Sequence, residues 1–443
     1  MDAGHFAHPE IETLDRSGIL AIQKKKLKAL GERLQGSPEW VRHFQKVGMS
    51  PRDLGDLEAL SSAPTLDKAD LRALYPFPML TAELTQVRRF VATSGTSGMP
   101  VMFGLTERDM TQLIPYQMCR ILRTAGIVPG DLVYQGFGYG LWFGGLGMDL
   151  GLAACGAVNF PVGPGRGELV VKWMSDHGYT ACTMSPLWLM TLVNLAKSMG
   201  IDPRKDWKLR VGLFGGQSIS AAFRDQLEAE MPPGFMAHNN YGTTEAGGPV
   251  VAQSCPYSHD VDEMHLINED SIIAEVVDPV TLKRVGAGEI GELVVTTLER
   301  DASPMVRWRT HDLVRLSSRP YDCPCGRSGL PKIGRIIGRN DDMLKVRGVI
   351  VFPTQIEDII AETEGAVKEA WHIYIDGERQ LLEELTVAVE RRASSAPTRQ
   401  DIQQRIAHAI HSRLGIRVSV ECHDEGSLPR YEGKAVRVHR RSS

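Results

Sequence analysis

Between residues 106 and 229 helical and strand signatures alternate, and this constrains the fold more than any other feature of the chain. Residues 106–124, 167–176, 187–198 and 220–229 carry apolar positions at helical spacing, while 131–136, 157–162, 181–184 and 209–214 are short apolar runs. Strands separated in this way by helices predict α/β layers around a mainly parallel sheet. Upstream, residues 13–35 read as a helix, and Asp67 reads as the cap of a second, shorter one. The most apolar region, 136–162, is broken by glycines and by Asp149, so it reads as buried core and not as a membrane span.

The character changes after about residue 268. Segments 271–278, 291–298 and 305–316 are strand-like with few helices between them, which predicts a β-rich subdomain. Residues 338–348, dense in charge and glycine, read as a linker. Beyond it come a helix (354–364), two strands (368–375 and 384–391), a helix (398–414) and a strand (417–422). The expected organisation is therefore α/β: a large N-terminal domain over 1–338 (α/β layers plus the β-rich part) and a small α+β domain over 339–443. A chain of 443 residues exceeds one typical core, in agreement with that division.

Charge narrows the partners. Lys and Arg number 50 against 54 Asp and Glu, a net charge of −4, so no basic footprint points to nucleic acid or an anionic membrane. No run of 18 apolar residues occurs, and the N-terminal residues lack the layout of a signal peptide, so a cytoplasmic location is expected. Seven cysteines, an odd number in so long a chain, do not make a disulfide framework.

Several motifs carry chemistry. Thr93, Ser94, Gly95, Thr96, Ser97 and Gly98 follow an apolar-basic run and precede Pro100. A strand entering such a loop turns backbone N–H groups and hydroxyls toward one concavity, which suits polyphosphate oxygens. The loop lacks the lysine of a Walker motif, and by itself it reads equally well as a surface turn. Four further stretches follow in order: Asn239-Asn-Tyr-Gly-Thr-Thr-Glu245, Arg307-Trp-Arg-Thr-His-Asp312, Gly338-Arg-Asn-Asp-Asp-Met-Leu-Lys-Val-Arg-Gly348 and Leu428-Pro-Arg-Tyr-Glu-Gly-Lys434.

Together these five stretches resemble the adenylate-forming superfamily of acyl-CoA synthetases, adenylation domains and luciferases. Within it the chain looks most like the phenylacetate–CoA ligase branch, through the aromatic, glycine-rich run 137–147, the run 341–357 and Cys-Pro-Cys-Gly-Arg at 323–327. The resemblance implies an enzyme with two half-reactions. A carboxylate attacks the α-phosphorus of ATP to give an acyl-adenylate and pyrophosphate, and a thiol then displaces AMP. It also implies a mobile C-terminal domain.

Residue roles follow from the resemblance. Thr93 to Gly98 would cradle the β- and γ-phosphates, although Val101 stands where a lysine is common. Glu245 would hold Mg²⁺, a hard cation that prefers carboxylate oxygen. Thr244 would contact the α-phosphate and Tyr241 would stack near the adenine, with Gly242 and Thr243 in the same motif. Gly215 and Gly216 would admit the ring, although relatives often carry Ala-Glu where this chain has Gly216-Gln217. Asp312 would accept both ribose hydroxyls, Arg339 would add a contact, and Asp341 would be the hinge. Lys434 would be the catalytic lysine of adenylation.

Phe137, Tyr139, Trp142 and Phe143 would form one wall of an aryl pocket with Gly247 on its far side, so the implied substrate is an aromatic acid of benzoate, hydroxybenzoate, aminobenzoate or arylacetate type. Coenzyme A is the implied acceptor; a carrier-protein phosphopantetheine or an amine is the alternative. A homodimer is typical of the branch. Cys255, His259, Cys323 and Cys325 supply three thiols and an imidazole in two clusters, a donor set that tetrahedral Zn²⁺ takes. Relatives with a zinc site here imply a structural role, whereas the sequence alone leaves open whether the clusters meet.

Overall fold

The computed structural model describes residues 5–93, 99–258, 261–340, 344–346, 349–376, 384–429 and 437–441. The chain forms two compact units: Met1–Ser218 with Glu228–Arg335, and Ile219–Leu227 with Ile336–Ser443.

The first unit is built on an eight-stranded sheet. Five strands are parallel, in the order Val158–Phe160, Leu132–Gln135, Ala181–Met184, Val211–Phe214 and Met236–Thr243. Every residue of Ala181–Met184 and Val211–Phe214 is buried, as expected of parallel strands covered on both faces. The sheet then continues antiparallel through Gly248–Gln253, Glu263–Leu266 and Lys332–Gly334. The sequence pattern anticipates four of the five parallel strands and misses Met236–Thr243 and the antiparallel extension.

It also misses a helix, Phe143–Cys155, inside the apolar region. Four glycines make that segment a poor helix former in isolation. Their use is close packing: a Cβ on Gly151 would sit 2.4 Å from the Met118 Cβ on the neighbouring helix Ile114–Thr124. Three antiparallel strands, Ile272–Val277, Ile290–Thr297 and Trp308–Arg315, form the expected β-rich part. Val87–Ala92 and Met102–Thr106 pair as a hairpin that encloses the Gly/Ser/Thr loop.

Buried charges fix the N-terminal segment to this unit. Arg327, almost fully buried, donates from Nε and Nη2 to Glu12 at 3.0 and 2.7 Å, and Arg120, which pairs with Asp270, lies 3.9 Å from the other Glu12 oxygen.

In the second unit the sheet order is Ser419–Asp424, Glu384–Arg391, Ala366–Asp376 and Val438–Arg441. Helices Pro353–Glu362 and Arg399–Leu414 contribute Ile356, Ile360, Ile402, Ile406 and Ile410 to a core with Trp371, Ile373 and Val387.

Candidate active site

Strand Met236–Thr243 carries Asn240 and Tyr241 to the edge of the parallel sheet, and the motif turns there. Gly247 and Gly248 have φ of 103° and 102°, a region open to glycine at little cost. A Cβ on Gly242 would lie 2.0 Å from the Gly248 carbonyl oxygen, so the turn closes only on glycine. Thr243 Oγ1 accepts from the Ala246 N–H at 3.2 Å, and Thr244 and Glu245 are buried on the turn. Burial raises the Glu245 carboxyl above its usual range; its own backbone N–H, the Lys68 charge and Thr243 oppose that, and Asp312 adds to it. Lys68, the first residue of helix Lys68–Ala73, was not singled out from the sequence; a lysine in a short surface helix carries no local signature.

Asp312 lies on strand Trp308–Arg315 and accepts from the Tyr241 hydroxyl at 2.5 Å, so the two residues assigned to ribose and adenine meet. The Asp312 N–H donates to Thr310 Oγ1 at 3.1 Å, and the Thr310 hydroxyl donates to the Leu293 carbonyl at 2.6 Å. Gly215 follows strand Val211–Phe214; a Cβ there would lie 3.5 Å from Asn240 and from the Phe137 ring, while Gly216 at φ 80° has open space beside it.

At the base of the Gly/Ser/Thr loop, the Thr93 N–H donates to the Val101 carbonyl and its hydroxyl accepts from the Val101 N–H, both at 3.1 Å. Ser94, Gly95, Thr96, Ser97 and Gly98 lie outside the described residues, as do His259, Asp341 and Lys434. Arg339 belongs to the second unit and is half-buried. The Ala92 N–H donates to the Leu141 carbonyl at 2.7 Å, joining the hairpin to the aromatic run.

That run is held by Gln135, a fully buried residue at the end of its strand. Its amide oxygen accepts from the Phe137 N–H, and its nitrogen donates to the Phe137 carbonyl at 3.2 Å and the Tyr139 hydroxyl at 2.8 Å. The Tyr139 hydroxyl in turn donates to Asp149 at 2.7 Å. Phe137 meets Trp142 edge-on at 5.5 Å. Tyr139 and Trp142 are 47% and 38% exposed, whereas Phe143 is fully buried where a Cβ on Gly147 or Gly248 would strike it. Of the four rings expected to line an aryl pocket, Phe137 and Phe143 are buried and Tyr139 and Trp142 are partly exposed.

A second constellation lies in the same unit. Among the described residues Cys255, Cys323 and Cys325 converge with His265, which the sequence does not single out, and their four ligand atoms lie within 4.8 Å of one another; the expected ligand His259 lies outside the described residues. His265 sits ten residues beyond Cys255 on strand Glu263–Leu266, where sequence proximity gives no cue. Cys255 Sγ lies 3.7 Å from Cys323 Sγ, and Cys325 Sγ lies 3.3 Å from His265 Nε2. Metal–sulfur bonds of about 2.3 Å at tetrahedral angles require edges of about 3.8 Å, close to these separations. His265 Nδ1 faces the Leu330 carbonyl at 3.3 Å, the usual outer partner that turns Nε2 toward a metal. Burial pulls the His265 ring down, but its hydrogen bonds to Cys255 and Cys325 outweigh that and lift it to about 9. The donor set fits Zn²⁺.

A family model for the AMP-binding enzyme matches residues 61–298, and one for the AMP-binding enzyme C-terminal domain matches 348–441. The chain belongs to the AMP-binding enzyme family, in its branch of AMP-forming acid–CoA ligases. It is 34% identical to the phenylacetate–coenzyme A ligase of Pseudomonas putida, over 97% of this chain and 96% of the relative. It is 35% identical to the enzyme of that name from Escherichia coli K12, again over 97% and 96%. In three dimensions it resembles 2-hydroxyisobutyryl-CoA ligase in the postadenylation state in complex with 2-HIB-AMP, with a TM-score of 0.89, 26% identity, and 100% and 93% of the two chains covered. No helix of the described residues is long and apolar enough to cross a membrane.

Proposed function

We propose that this chain activates an aromatic carboxylic acid, of benzoate or arylacetate type, to its adenylate and transfers the acyl group to coenzyme A. The observation that carries this reading is the position of Phe137. Its ring tip would lie 3.5 Å from a Cβ placed on Gly215, on the proposed nucleotide side, and it meets Trp142 edge-on, on the more exposed side. A flat acid placed along that wall would present its carboxylate toward the nucleotide, and an aromatic wall favours an aromatic ligand. The relatives at 34% and 35% identity, both phenylacetate–CoA ligases by name, support the same class.

In the first half-reaction a carboxylate oxygen of the acid forms a bond to the α-phosphorus, and the bond to the bridging oxygen of pyrophosphate breaks. Thr93 and the residues through Gly98 would hold the leaving phosphates by N–H and hydroxyl groups. Thr244 would bond the α-phosphate, and Lys434 would stabilise the charge that builds there and on the carboxylate. Glu245 would hold Mg²⁺, which neutralises phosphate charge when bound. Tyr241, Gly215 and Gly216 would take the adenine, and Asp312 with Arg339 the ribose; orienting both reactants is the larger part of such catalysis. In the second half-reaction the CoA sulfur attacks the acyl carbon and AMP leaves, with Asp341 as the hinge between the two steps. Zn²⁺ held by Cys255, His265, Cys323 and Cys325 would be structural. A cytoplasmic homodimer is the assembly that the resemblance favours.

The test is pyrophosphate release over a panel of benzoates, arylacetates and 2-hydroxyisobutyrate, each with and without CoA, with mass analysis of the product. Release with one ring class and formation of its CoA thioester is expected. Release without thioester would move the acceptor to a carrier protein or an amine, release with 2-hydroxyisobutyrate alone would overturn the aromatic assignment, and no release would overturn the activity.

A further inference from the structure

His311 stands next to the ribose-side Asp312 in a conformation that L-residues rarely adopt, with φ of 62°. Such strain costs about 1 kcal/mol or more and concentrates at functional sites. Its imidazole spans two carboxylates on different elements. Nε2 lies 3.1 Å from Asp67 Oδ2, and Nδ1 lies 3.7 Å from Glu292 Oε1, which also accepts the His311 N–H at 3.2 Å. Glu292 is fully buried and is held by Arg309 at 3.0 and 2.6 Å, so its charge is already paired. The Asp67 contact is the one that reaches a separate segment.

That segment is docked along the strand by its backbone. The Leu66 N–H donates to the Arg307 carbonyl at 3.0 Å and the Arg309 N–H to the Leu66 carbonyl at 2.9 Å, while Arg307 bonds the Ser61 and Ala63 carbonyls. The segment ends in Asp67, which caps the helix through Oδ1 and gives Oδ2 to His311, and Lys68 follows.

We propose that His311 is a positioning residue: through Asp67 it fastens the start of helix Lys68–Ala73 to the strand bearing Asp312, beside the site where ATP would lie. This rests on the nucleotide role given to Asp312 above. The imidazole and the two Leu66 backbone hydrogen bonds tie the same short segment to one strand, and the His311 hydrogen bond is the first cause that holds the Asp67 carboxyl near 2.

Two substitutions remove the brace without disturbing its surroundings. His311→Gly deletes the imidazole in a backbone region that glycine occupies freely. Asp67→Ser keeps a good helix N-cap while withdrawing the carboxylate from His311. Calorimetric binding of MgATP and the KM values for MgATP and acid are then measured, with Tm as control. Each variant is expected to weaken MgATP binding roughly tenfold, the loss of one charge-assisted hydrogen bond, with the KM for acid and Tm nearly unchanged. The double variant should be no worse than either single one, because both remove the same link, and His311→Gln should recover most of the loss.

Wild-type MgATP affinity in both single variants, additive losses in the double variant, or equal losses for ATP and acid would overturn the proposal. If the unmodified protein binds no MgATP, the underlying nucleotide assignment falls first, and that result is distinguishable because it appears before any substitution.

Discussion

At the scale of single residues, Glu245 has a proposed role that sets function against stability. It is buried on a glycine-closed turn, and burial raises its carboxyl above the ordinary value of 4.5. The sign of its linkage follows. A group whose folded pKa is raised contributes stability below its unfolded pKa and loses it as pH climbs through the folded value, so the ionised carboxylate is a cost at neutral pH. Glu245→Gln should therefore raise Tm at pH 7 by roughly 2–4 °C, an advantage that vanishes below about pH 4.5, while the proposed role has adenylate formation fall to background. Thermal scans across pH, paired with pyrophosphate release, check both halves; a lowered Tm at pH 7 would refute the stability argument. Asp312→Ala should act differently. It removes the acceptor of the Tyr241 hydroxyl at 2.5 Å as well as the proposed ribose partner, so the KM for ATP should rise by roughly 10- to 100-fold, with about 1–3 kcal/mol lost. A KM for ATP unchanged from wild type would contradict the ribose role.

At the scale of elements, the Cys323–Arg327 loop joins two functions that look separate in the sequence. Cys323 and Cys325 supply thiols to the metal-type cluster, and two residues on, Arg327 clamps Glu12 and donates to the His5 carbonyl at 2.6 Å, with its guanidinium 4.6 Å from the Phe6 ring. Glu12 also accepts the Ala7 and His8 N–H groups at 2.9 and 2.8 Å. Loosening the thiol cluster should free Arg327 and with it the segment 5–14. Chelation, or Cys325→Ser, is expected to speed hydrogen exchange there as strongly as Glu12→Gln does, and metal analysis should find about one Zn per chain in the unmodified protein and in Glu12→Gln, which leaves the buried Arg327 without its counter-charge at a cost of roughly 3–5 kcal/mol. Exchange unchanged on chelation would separate the loop's two contacts. The elements also show where sequence is readable. Strands such as Ala181–Met184 and helices such as Pro186–Ser198 lie within a residue or two of their signatures, because apolar periodicity is a local property. Helix Phe143–Cys155 is hidden because its glycines serve inter-helix contact and not helix propensity, and His265 is hidden because strand register, not spacing along the chain, brings it to the cysteines. The family was legible from its motifs as a series, whereas the Asp67–His311 link, 244 residues apart in the chain, had no signal to offer.

At the scale of the whole molecule, two units with separate cores should not melt as one. The second unit has its own isoleucine-rich core around Trp371 and Val387, while the thiol cluster and the Glu12–Arg327 pair belong entirely to the first. Chains with more than one core commonly depart from two-state unfolding. Calorimetry should accordingly resolve two transitions that respond to different perturbations. Cys325→Ser should lower only the transition of the first unit. Val387→Ala, which removes two methyl groups from a fully buried site, should lower only the other, by about 2–3 kcal/mol. Saturating MgATP distinguishes more sharply: ligand binding stabilises whatever unit must be folded to bind it, by about 2.7 kcal/mol at a hundredfold excess over Kd. Tyr241, Glu245 and Asp312 all belong to the first unit, so that transition should move up even in Val387→Ala. A single transition shifted alike by both substitutions would show that the two cores unfold together, and nucleotide would then stabilise the chain as one body.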